Sequence, residues 1–147
     1  CLVKQLSMRP KKNVWVNGTF DVLHMGHIKL LERASFEAAG GLVAVGIDTD
    51  RRVKELKGDS RPVNDEMSRA SFLGVIKYVG CVYIFDTDKE LRKCIKSFKP
   101  DLMVIGDDYR DKPIIGSEYI DEIVYVERYK GLSSSDIING TYKTPYL

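Results

Sequence analysis

Long hydrophobic runs are missing from this chain, and so is a cysteine pattern. No apolar stretch approaches the ~18 residues that a membrane helix needs, and no charged-then-apolar leader stands at the start. A cytoplasmic protein with no membrane partner is the expectation. Its three cysteines, Cys1, Cys81 and Cys94, are odd in number and lack metal-ligand spacing. Cys81 and Cys94 are therefore expected as reduced residues of the core. No Gly-x-Gly-x-x-Gly follows any apolar run, which argues against a dinucleotide dehydrogenase. A net charge of +2 is too small to argue for nucleic acid, although Lys4, Arg9, Lys11 and Lys12 cluster at the front. Histidine is scarce as well: His24 and His27 are the only two.

What is present reads as one globular domain. Hydrophobic residues make up 44% and charged residues 30% of 147, an ordinary balance in a length that can bury a core without disulfides. Residues 1–12 read as an arm that packs loosely or pairs with a neighbour, its basic cluster solvated, 13–139 as the domain and 140–147 as a tail. Val14 to Val16 is a short apolar strand, followed by a helical pattern in which Leu30, Leu31 and Ala34 recur at helical spacing. Leu42 to Ile47 suits a strand buried on both faces. A basic segment, Arg51 to Lys57, precedes the loop Gly58 to Pro62. Asn64 or Asp65 then caps a helix carrying Met67, Ala70, Phe72, Leu73 and Ile76. Val82 to Phe85 and Leu102 to Ile105 read as strands on either side of a helix stopped by Pro100, and Ile123 to Val126 as a fifth. Strands alternating with helices at this rhythm predict an α/β, Rossmann-like, doubly wound parallel sheet of about five strands. Ligands in such sheets bind beyond the carboxyl ends of the strands.

The chain is organised around Asn17-Gly18-Thr19-Phe20-Asp21-Val22-Leu23-His24-Met25-Gly26-His27, the passage from the first strand to the first helix. Free amides at a helix start attract phosphate. Gly18 relaxes the backbone there, and Gly26 leaves the first turn open to a ligand. Two imidazoles three positions apart can face the same anion. A second candidate cradle, Arg128-Tyr129-Lys130-Gly131-Leu132-Ser133-Ser134-Ser135-Asp136, follows the fifth strand: a cation, a glycine, then hydroxyls at a helix start. An ordinary serine-capped helix would carry the same letters.

Val16 through Ala34 resembles the signature of the His-x-Gly-His nucleotidyltransferases, in particular the cytidylyltransferases that activate glycerol 3-phosphate. The likeness runs over roughly residues 13–139. It implies transfer of a nucleotidyl group, most simply CMP from CTP, to a small phosphorylated acceptor with release of pyrophosphate. On that resemblance His24, His27, Lys57 and Arg128 are the catalytic candidates. Gly18, Thr19, Phe20, Gly26, Arg69, Asp107, Asp108, Tyr109, Gly131, Leu132, Ser133, Ser134 and Ser135 are candidates for the nucleotide. Asp21, Asp48, Lys54 and Lys57 are candidates for the acceptor, with Asp21 expected to orient the loop or a histidine. Gly106-Asp107-Asp108-Tyr109 is similar to the Gly-Asp-Asp-Trp of glycerol-3-phosphate cytidylyltransferases. Leu56-Lys57-Gly58-Asp59-Ser60-Arg61-Pro62-Val63-Asn64 instead resembles a loop of the heptose 1-phosphate adenylyltransferases, so ATP with a sugar phosphate is the alternative. A non-catalytic nucleotide-binding module is the alternative of another class. Mg²⁺ is expected to come with the nucleotide, held by phosphates and water without a protein cage. The resemblance also implies a homodimer.

Overall fold

The computed structural model describes residues 9–129 and 131–141. Cys1, Lys4 and the rest of residues 1–8, Lys130, and residues 142–147 of the expected tail lie outside the described residues. The elements are β1 (Val14–Gly18), α1 (Met25–Ala38), β2 (Val43–Asp48), α2 (Asp50–Lys57), α3 (Glu66–Gly74), β3 (Cys81–Phe85), α4 (Asp88–Phe98), β4 (Leu102–Gly106), β5 (Glu122–Val126) and α5 (Ser134–Ile138). Short 3-10 turns occupy Asp107–Tyr109 and Ser117–Tyr119.

Alternation along β1 explains why helices cover both faces of the sheet. Successive side chains point opposite ways, so Val14 and Val16 join Leu31, Ala34 and Leu73 in one core while Trp15 joins Phe85, Leu91, Ile95 and Met103 in the other. The indole of Trp15 also explains a gap in the apolar run of β2. A β-carbon on Gly46 would lie 2.6 Å from that ring, so only glycine lets it pass. Hydroxyl and carboxylate caps set the helix starts: Thr49 for α2, Asp65 for α3, Thr87 for α4 and Ser133 for α5 each accept a backbone amide.

All five strands are parallel, in the order β3-β2-β1-β4-β5. Chain direction across the sheet reverses between β1 and β4, the place where such sheets open a crevice. The register shows the opening. β1 pairs with β2 from Val14 to Gly18, but with β4 only at Val14 and Trp15. Beyond Trp15 the two central strands part, and the site lies over that fork.

Two expectations change. Met67 and Phe72 do not face the core: they are 64% and 47% exposed, because α3 turns Arg69 and Leu73 inward instead. In residues 9–12 the basic side chains of Arg9 and Lys12 are paired with the domain and not simply solvated. Arg9 lies over the Phe36 ring and pairs with Glu37, the Lys12 amide donates to the Ala38 carbonyl, and its ammonium meets Glu122.

Candidate active site

The turn into α1 is built from its two histidines. His24 is the N-cap, and its Nδ1 accepts the amide of Gly26 at 3.0 Å. Three residues on, Nδ1 of His27 accepts the amide of His24 at 3.2 Å, closing a reciprocal capping box. A β-carbon at residue 26 would lie 2.7 Å from Cε1 of His24, so the glycine between them is a packing requirement. Because both Nδ1 atoms accept, each neutral ring carries its proton on Nε2. The rings lie 3.9 Å apart at 31°, and both line one cavity. Burial, then the neighbouring His24 and Lys57, lower the pKa of His27 to about 3. Burial, then Arg128, also lower that of His24, against an opposing pull from Asp136. At neutral pH the turn therefore offers two uncharged N–H donors.

That cavity holds about 270 Å³ above the forked strands. His24, His27, Lys57 and Arg128 all line it, together with Gly18, Gly26, Asp108, Tyr109, Leu132, Ser133, Ser134 and Ser135. Lys57, at the last position of α2, is exposed over much of its length. Even so, the surrounding protein, then Arg61, hold its pKa below the usual lysine value. Arg128 is 3.9 Å from Asp108, and its amide donates to Asp107 at 3.3 Å. Asp107 thus fixes the backbone beside the cavity without lining it. Gly131 lies with Arg128 and Tyr129 around an adjoining, shallower hollow that shares Arg128, Tyr129, Leu132 and Ser133 with the cavity.

Several candidates turn out to hold the frame. Phe20, 3% exposed, packs beneath the His27 ring at 5.1 Å and does not line the cavity. Asp21 is 1% exposed; it accepts the amides of Val63 and Asn64 and pairs with Arg61 at 3.0 Å. Its burial would raise the pKa, but those amides and Arg61 outweigh it and hold the carboxyl below its usual range. The resemblance makes Arg69 a candidate for the nucleotide; the fold encloses it completely. Its guanidinium donates to the carbonyls of Thr19, Asp48 and Asn64 and to the Asp50 carboxylate, tying the turn after β1 to the end of β2. Two of the three serine hydroxyls are likewise engaged. Ser133 caps Asp136, and Ser134 donates to the Val22 carbonyl, latching α5 to the histidine turn.

A second cavity of about 280 Å³ adjoins the first, sharing Asn17, Gly18, Lys57, Ile105 and Tyr109. Thr19 and Asp48 line it, whereas Lys54 reaches neither cavity. Asn17, Arg52, Arg61 and the Pro113–Ile115 segment line these spaces without having been singled out. Among the described residues no group of three or more His, Cys, Asp or Glu is placed to hold a metal ion, and no helix is long and apolar enough to cross a membrane.

Comparison with known proteins bears on the family and the fold. A family model described as cytidylyltransferase-like matches residues 15–140. The bifunctional protein HldE of Campylobacter fetus is 46% identical over 129 residues, covering 88% of this chain. That of Helicobacter pylori is 41% identical over 143 residues, covering 97%. The chain spans only 28% and 30% of those relatives' own lengths. Among solved structures, the lipopolysaccharide core biosynthesis protein from Thermoplasma volcanium superposes with a TM-score of 0.65 at 26% identity, covering 80% of this chain and 98% of its own. Pantothenate synthetase from Thermus thermophilus, TM-score 0.61 at 17% identity over 98% of this chain and 66% of its own, shares the fold.

Proposed function

The chain belongs to the cytidylyltransferase-like family of nucleotidyltransferases, and from that premise we propose that it transfers an adenylyl group from ATP to a sugar phosphate of the heptose 1-phosphate kind. Convergence of His24, His27, Lys57 and Arg128 on one cavity carries the reading. A phosphate monoester has a second pKa near ~6, so its oxygen is already a nucleophile at neutral pH. The acceptor oxygen forms a bond to the α-phosphorus, the α–β bridging bond breaks, and pyrophosphate departs with the electron pair. No serine, cysteine or carboxylate has to be activated.

The protein supplies position and charge. Nε2–H of His24 and of His27 donate to oxygens of the phosphoryl group under attack. Lys57, shared by both cavities, bridges the nucleotide's phosphate and the acceptor's. Arg128 holds the departing phosphates beside the start of α5. Magnesium would ride on the triphosphate, where it neutralises charge; the described residues offer no cage of their own.

Support for ATP and a sugar comes from the likeness of the Lys57 loop to that of the heptose 1-phosphate adenylyltransferases, and support for a sugar also from a structural neighbour described by lipopolysaccharide core biosynthesis. The Arg128 motif and Gly106-Asp107-Asp108 favour a second reading, CTP with glycerol 3-phosphate. A pyrophosphate-release assay crossing ATP, CTP, GTP and UTP with heptose 1-phosphate, glycerol 3-phosphate and choline phosphate decides. Fastest release with ATP and heptose 1-phosphate is expected, and faster release with CTP and glycerol 3-phosphate would replace it.

A further inference from the structure

The second cavity has a charge arrangement that phosphate chemistry does not explain. Asp48 ends β2 with its side chain 12% exposed, and its Oδ1 receives Nε of Arg52 at 2.8 Å. The other arm of that guanidinium reaches Asp88, the first residue of α4, at 2.6 Å, and the group lies 5.5 Å from the Phe85 ring centroid. Two carboxylates share one cation, so the trio keeps one unbalanced negative charge. Asp48, Arg52 and Phe85 all line the cavity, whose remaining walls include Leu91, Ile105 and the Pro113–Ile115 segment. The charge of Arg52 is therefore already balanced by two carboxylates, unlike that of a phosphate ligand. The free oxygen, Oδ2 of Asp48, is the acceptor that a ligand can use.

Resting on the reading above, we propose that Asp48 is a specificity residue that accepts a hydroxyl of the acceptor's neutral body, and that Arg52 and Asp88 are positioning residues that fix its carboxylate. Lys57 sits where the two cavities meet and takes the acceptor's phosphate. The body then extends into the second cavity, with C–H faces on apolar walls and a hydroxyl on Asp48. A polyhydroxylated body matches that lining. One bearing a further anion is repelled by the trio's surplus charge.

The test uses steady-state kinetics with ATP and heptose 1-phosphate, and inhibition by glucose 1-phosphate and glucuronic acid 1-phosphate. Asp48→Asn should raise the KM for heptose 1-phosphate about tenfold, leaving the KM for ATP unchanged, since one charge-assisted hydrogen bond is lost. It should also narrow the wild-type preference for the neutral inhibitor over the carboxylated one. Arg52→Gln should raise the acceptor KM in the same way and Arg52→Lys should restore most of it, a rescue that mere packing would not give. Turnover with unchanged acceptor KM and inhibitor ratio in Asp48→Asn would overturn the assignment of Asp48 while leaving the adenylyltransferase reading standing. Absence of wild-type turnover with any sugar phosphate would overturn both.

Discussion

At the scale of single residues, the pairing of two histidines with one glycine has a physical cause. Each imidazole spends Nδ1 on a backbone amide, which caps the helix and turns Nε2–H outward. The same contact thus does structural and chemical work. His27→Ala should cost about 1 kcal/mol of stability, the scale of a lost N-terminal cap. Losing one donor to the developing charge should lower kcat by about 10²–10³. Urea denaturation and pyrophosphate release measured on one preparation separate the two; a loss of activity no larger than the loss of folded protein would remove His27 from the chemistry. The motif was legible because cap, glycine and second imidazole lie within four consecutive residues. Arg52 escaped notice because its partners Asp48 and Asp88 meet only after β2 and α4 are in place.

Between elements, Arg69 and Asp21 hold the site's frame. Arg69 gathers carbonyls from the turn after β1, the end of β2 and the entry to α3, and Asp21 pins the Arg61–Asn64 loop to the histidine turn. Both are buried charges with saturated partners, so removing either leaves the rest unpaired. Arg69→Ala should lower stability by about 3–5 kcal/mol, seen as an earlier chemical-denaturation midpoint. A stable Arg69→Ala protein with only a raised KM for nucleotide would instead mark Arg69 as a phosphate ligand. Strand and helix order could be read from the chain because periodicity and caps are local. The inward turn of α3 could not, since an arginine in a helix normally reads as solvated and Met67 and Phe72 normally read as core.

Over the whole molecule, the fork between β1 and β4 gathers residues from both halves of the chain, and Ser134 latches the last helix back to Val22. Holding two imidazoles uncharged makes the fold sensitive to acid. In the unfolded chain His27 protonates near ~6.5, whereas in the native state it stays neutral until about pH 3. The unfolded state then binds the extra proton, so His27's contribution is fully present above pH 6.5 and is lost as pH falls toward 3. The buried, ionised Asp21 acts in the same sense at lower pH, below the ordinary carboxylate value. Denaturation midpoints followed from pH 7 to 4 should fall in wild type, with a shallower fall in His27→Gln. Equal slopes would mean that the native ring titrates like a free one.

These are the protein's only histidines, so a long-range ¹H–¹⁵N spectrum of the two rings, recorded alone and with a non-hydrolysable ATP analogue, examines the site without interference. Both rings should be neutral Nε2–H tautomers at pH 7, His27 should remain so down to about pH 4, and both Nε2 resonances should shift when the analogue binds. A ring that carries its proton on Nδ1, that titrates near ~6.5, or that ignores the triphosphate would contradict a site built on two uncharged donors facing one phosphate.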